Sequence, residues 1–100
     1  MNIPDQVIIG GLCYRVERIS QTALGLQAEG TISPREQLIT VCDTGTDYAK
    51  VTFLHECIHG MMEAIGIPLN QHKERLVDSL AHQLYQFLRD NTGLISHNQP

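Results

Sequence analysis

The sequence is short of basic residues and holds no run of like charge. Its 7 Lys and Arg are scattered among 11 Asp and Glu, leaving a formal charge of −4 over 100 residues. That pattern offers no basic groove or stripe for nucleic acid. No apolar run approaches the roughly 20 residues that a membrane span needs. The stretch Met1 to Gln6 is polar and contains Pro4, so no signal peptide is expected. Cysteine is sparse: Cys13, Cys42 and Cys57 are odd in number and form no CxxC pair. That argues against a disulfide framework and suits a reducing compartment, so a soluble cytosolic protein is the expectation. Repeats and low-complexity segments are lacking too. With 42% hydrophobic and 18% charged residues, the composition is ordinary for a globular chain. Its length allows a single domain, 1–100, with no separate substrate-binding domain.

The first half has the patterning of strands. Val7-Ile8-Ile9 and Leu12 to Ile19 flank Gly10-Gly11, a favourable two-residue hairpin turn. Leu12, Tyr14 and Val16 alternate with Cys13, Arg15 and Glu17, the period of a half-buried strand. Ser20 to Gly25 reads as a loop. Ala28 to Ile32 and Gln37 to Cys42 read as a second hairpin across Ser33-Pro34-Arg35-Glu36, with Pro in the favoured place of a type I turn. Asp43-Thr44-Gly45-Thr46 ends the strand region.

The second half has helical spacing. A first helix is predicted from about Asp47 to Ile65, capped by Thr46 or Asp47 and stopped by Gly66 and Pro68. Val51, Leu54, Ile58, Met61 and Ile65 share one stripe, while Phe53, Cys57 and Ala64 lie nearly opposite; a helix apolar on both sides is buried between two layers. A second helix is predicted from about Asn70, a good cap, to Asn91, with Val77, Leu80, Ala81, Leu84 and Leu88 as its core stripe. The tail 95–100 is expected to fray. The fold class is α+β: a small antiparallel sheet of about four strands packed on a buried helix and a second, C-terminal helix.

Inside the first helix stands His55-Glu56-Cys57-Ile58-His59. Four residues turn a helix by about 400°, so the two imidazoles lie on one face, one above the other. Both rings can then grip one tetrahedral ion at ~2.0–2.1 Å. Glu56, rotated about 100° from His55, can lean over the ion's open position as general base for a water. A third protein ligand is still needed. Glu74, Asp78 and His82 offer themselves at spacing four on the second helix. Glu74 lies nearest the core stripe, close to Ala81 and Tyr85; Asp78 is at its border, and His82 faces furthest toward solvent. Glu74 is therefore the predicted ligand. Asp78 is read first as the hydrogen-bond partner of a ligand histidine's free ring nitrogen, with the ligand in Glu74's place and a plain surface acid as the alternatives. Tyr85 shares Glu74's side of the helix and is a candidate oxyanion stabiliser. His72, His82 and His97 read as surface residues, Cys57 as core, and Met61 and Met62 as packing.

HExxH followed by ExxxD on a later helix resembles the gluzincin arrangement of thermolysin, in which the Glu is the third ligand and the Asp supports a ligand. Glu74-Arg75-Leu76-Val77-Asp78-Ser79-Leu80-Ala81 resembles more closely the ExxANxFA element of ImmA/IrrE-type metallopeptidases. Over roughly residues 3–91 the chain is similar to short phage and prophage members of that group. The shared elements are a hairpin carrying Ile9-Gly10-Gly11, an LHExxHG-like helix and the terminal segment Leu84 to Asn91. Val77 and Asp78 stand where the family usually has Ala and Asn, and the gap from His59 to Glu74 is short.

The resemblance implies a zincin-like minimal domain holding Zn2+ and an endopeptidase with a regulatory role. Its substrate would be a protein or peptide, a repressor among the candidates, in the cytoplasm of a bacterial host. Peptide substrate is expected to add as a strand along an edge near the helix, taken to be Gln37 to Cys42. The competing expectation is a non-catalytic adaptor of phage origin whose zinc serves stability. Glu56 discriminates between them, since a purely structural site has no use for an acid there. A nucleic-acid hydrolase is disfavoured by the acidic balance.

Overall fold

The computed structural model describes residues 1–19 and 29–96. The expected loop Ser20 to Gly25, Ala28 and His97 lie outside the described residues. Gly10 and Gly11 take φ of 58° and 82°, the pair of left-handed residues that a type I′ turn requires. This turn joins β1 (Gln6–Ile9) to β2 (Leu12–Ile19), with Ile9 opposite Leu12. The second hairpin joins β3 (Gly30–Ser33) to β4 (Leu38–Cys42), with Ser33 opposite Leu38. Its turn is closed by the Gln37 amide donating to the Pro34 carbonyl at 3.2 Å.

The strands run in the order β1-β2-β4-β3, and β2 pairs with β4 in parallel. The sheet is therefore mixed rather than antiparallel. Leu38-Ile39-Thr40-Val41-Cys42 explains the exception. It is almost continuously apolar, as strands covered on both faces and paired in parallel are, and Ile39 and Val41 are fully buried. The central position goes to the segment that most needs covering. That leaves β3 at the edge. Tyr14, Val16, Ile32, Ile39 and Val41 share one face with Ile9 and meet the helical layer, while Cys13, Arg15 and Glu17 face outward.

Helix α1 (Asp47–Ala64) is buried nearly all round between Ala49 and Gly60, so Val51 and Leu54 on one side and Phe53 and Cys57 on the other all enter the core. Its last turn is less covered, and Met61 and Ile65 are exposed rather than packed. The chain then forms a single 3-10 turn (Leu69–Gln71), and His72 and Lys73 are extended before α2 (Glu74–Asp90) begins. Helix α2 thus starts later than the Asn70 cap suggested. Val77, Ala81 and Tyr85 are its buried residues, with Leu84 and Leu88 half-covered and Leu80 exposed. A short helical turn, α3 (Gly93–Ser96), follows. All three cysteines are free thiols. Burial pushes the Cys57 thiol up to about 12, in keeping with a core role. Among the described residues no helix is long and apolar enough to cross a membrane.

Candidate metal centre

Tyr48, Thr52, His55 and His59 follow one another at helical spacing and form a stripe along α1 that faces the start of α2 and an open cleft. At the C-terminal end of the stripe the two imidazoles and Glu74 converge. The Nε2 atoms of His55 and His59 are 3.2 Å apart. His55 Nε2 lies 3.0 Å from one Glu74 oxygen, and His59 Nε2 lies 2.5 Å from the other. Donors around a tetrahedral ion bound at zinc–nitrogen distances stand about 3.3 Å apart. Two of the three separations match that edge. The third is shorter, and Glu74, whose side chain is 68% exposed, is free to draw back. Two imidazole nitrogens and a carboxylate facing inward bring lone pairs together, which protons or a cation must satisfy. His55, His59 and Glu74 are the group that could hold a metal ion among the described residues.

His59 is buried and His55 half-buried. Burial, first, and then the neighbouring imidazoles hold His59 below the ordinary histidine value, against the pull of Glu74. A neutral imidazole is the form that ligates metal. Asp78 Oδ1 is 3.4 Å from Nδ1 of His55, on the ring edge away from the cluster, so it touches the histidine rather than completing the donor set. Among the described residues His82 pairs with Asp78, at 3.8 Å.

Glu56 is 7% exposed and lies beneath β3. Desolvation pushes its carboxyl up to about 7, with the nearby Glu74 charge adding to the rise and His55 opposing it. The edge strand comes this close because residue 30 has no side chain. A Cβ on Gly30 would stand 2.7 Å from Thr52 Cγ2 and 3.1 Å from Glu56 Oε2. The Thr52 hydroxyl donates to the Tyr48 carbonyl at 3.0 Å, so its methyl cannot turn aside without losing that bond. Gly30→Ala is expected to destabilise the protein by about 1–3 kcal/mol through overpacking, read as a lower urea midpoint. Adding Thr52→Ser, which deletes the obstructing methyl, should recover part of the loss. If Gly30→Ala proves neutral, the close packing of β3 on α1 is wrong.

Two side chains lie elsewhere than the sequence suggested, and a third was not anticipated. Tyr85 does not approach the cluster. Its hydroxyl faces Asp47 at the first turn of α1, which raises the phenol above its ordinary value, about 12 Å along the helix from His55, and Arg89 lies over its ring at 5.8 Å. His72, expected at the surface, is half-buried, with its ring nearly coplanar with that of His59 and meeting it edge to edge, centroids 5.0 Å apart. Its Nδ1 is 2.7 Å from Nδ1 of His59. Tyr48 lines the cleft and donates its hydroxyl to Glu29, which raises the phenol above its ordinary value. Its place was visible in the 48, 52, 55, 59 spacing.

The cleft between β3 and the two helices has a volume of about 240 Å³, with His55 and Glu74 in its wall. A larger hollow of about 340 Å³ lies at the other end of α1 around Arg18, Asp43 and Lys50. It has no imidazole or thiol in its lining, whereas the smaller one borders the candidate metal centre. No family model, curated protein or solved structure matches the chain, and its own side chains carry the case for its chemistry.

Proposed function

We propose that the protein is a zinc-dependent endopeptidase with a zincin-like minimal domain of the ImmA/IrrE kind. The supporting observation is the convergence of His55, His59 and Glu74 at a cleft, with a buried acid, Glu56, on the adjoining position of the same helix. Zn2+ fits a donor set of two imidazoles and a carboxylate that leaves one place open. Bound there, the ion supplies Lewis-acid chemistry, lowering the pKa of a water toward about 7 and polarising a carbonyl.

The chain's own groups do the rest. Glu56, poised near neutrality, takes the proton of the attacking water and returns it to the departing amine. The Asp78 carboxylate accepts from Nδ1 of His55 and keeps its Nε2 turned inward. Peptide substrate adds along β3, whose first residue Gly30 lines the cleft, and backbone hydrogen bonds fix its register. This replaces Gln37 to Cys42 as the docking strand, since β4 is paired on both sides. The family resemblance points to a protein substrate in the bacterial cytoplasm, and phage or prophage repressors are the first to try.

The test is to load the full chain with Zn2+, incubate it with such repressors and with a peptide library, and read cleavage by mass spectrometry. Cleavage should stop when a chelator strips the metal and resume when zinc is restored. Stoichiometric zinc binding without turnover on any substrate would favour the adaptor reading instead.

A further inference from the structure

His72 stands outside the donor set, yet its contacts bear on how His59 presents itself. Its Nε2 lies 2.8 Å from the Ile67 carbonyl. A carbonyl only accepts, so that nitrogen carries a proton, and a neutral His72 is left with a bare Nδ1. The single proton in the 2.7 Å gap between the two Nδ1 atoms therefore belongs to His59. A neutral His59 has one ring proton, and with that proton at Nδ1 its Nε2 lone pair faces His55 and Glu74. The near-parallel rings, 9° apart, hold the contact in one geometry.

We infer that His72 is a positioning residue, which accepts the Nδ1–H of His59 and so fixes the tautomer and rotation in which His59 ligates a metal ion. This rests on the metal-centre reading above. It gives the two histidines unlike supports, a carboxylate for His55 and a second imidazole, anchored on the Ile67 carbonyl, for His59. It also accounts for the late start of α2. His72 must be extended, with φ −76° and ψ 132°, for its ring to lie along His59, and a helix beginning at Asn70 would carry it away.

The discriminating pair of variants is His72→Phe and His72→Asn. Phenylalanine keeps a flat ring beside His59 but offers no acceptor, whereas the asparagine Oδ1 falls near the place of the histidine Nδ1. Zinc affinity of the full chain is measured by competition with a chromophoric chelator. His72→Phe should bind zinc about 10–100-fold more weakly, the usual effect of losing a ligand's hydrogen-bond partner, and His72→Asn should recover most of the loss. In the zinc-loaded wild type, a through-hydrogen-bond 15N–15N coupling should join the Nδ1 atoms of His59 and His72, a signal that mere packing would not produce.

Equal zinc affinity in the wild type and His72→Phe, or an equal loss in both variants, overturns the inference. So does a coupling absent from the wild type. If the wild type itself takes up no zinc, the metal centre fails and this role fails with it. If the wild type binds zinc and only the His72 results go the wrong way, the metal centre stands.

Discussion

Glu56→Gln is expected to lower peptide hydrolysis by about 10²–10⁴-fold, the usual share of a general acid–base group, while leaving zinc content unchanged. Glutamine keeps the size of the side chain and removes only its proton chemistry. The same substitution should make the metal-free protein more stable above neutrality. The Glu56 carboxyl titrates near 7 in the folded protein against an ordinary 4.5. Its protonated form is thus the one the fold favours. Stability tied to that form is fully present below 4.5 and is lost as pH rises through about 7, by up to roughly 3 kcal/mol. Urea midpoints in chelator should show the wild type weakening between pH 5 and pH 8 and the variant holding steadier. Parallel behaviour of the two across that range would mean that Glu56 is not buried as an acid. Active sites commonly cost a fold stability in this way.

Glu74→Ala should abolish tight zinc binding, with a loss well beyond the 100-fold that marks the upper end for a supporting residue, whereas Asp78→Ala should cost about 10–100-fold. The contrast follows from reach. Glu74 sends one oxygen to each imidazole, at 3.0 and 2.5 Å, while Asp78 meets only the far nitrogen of His55, at 3.4 Å. Neither change should unfold the chain. Both side chains are more than half exposed, and an acid in the first turn of a helix contributes about 0.3–1 kcal/mol. Chelator competition on the two variants decides the point. If Asp78→Ala is the one that loses zinc, the roles are reversed and Glu74 is the support.

The parts of this structure set by short-range rules could be read from the residues alone. Gly10-Gly11 forces its turn and so the β1–β2 register. Thr46, Asp47 and Gly66 bound α1, and its apolar positions on two sides announced a helix between layers. The four-residue spacing of His55 and His59 placed both rings on one face. What escaped depends on how distant segments meet. No local signal says which edges of two hairpins will join, and the parallel β2–β4 pairing follows from burying β4 at the centre. The start of α2 escaped because Asn70 has good capping chemistry, yet the edge-to-edge contact of His72 with His59 goes with an extended residue 72. Tyr85 was placed correctly on its helix face, but its distance along the helix from the imidazoles emerges only when α1 and α2 are docked.

His59 and Glu74 lie on either side of a short connecting segment, so an ion held by both would act as a cross-link closing a small ring of chain. A permanent link closing a ring of this size would restrain an unfolded polymer by about 3 kcal/mol, but a cation that is released when the chain unfolds leaves the denatured ensemble unrestrained. Its contribution would come from quenching the inward-facing lone pairs and from tying the end of one helix to the beginning of the next. Helix α2, which buries only Val77, Ala81 and Tyr85, would then behave as a flap pinned at its N-terminal end, and uptake of the cation would be felt as stiffness along its length.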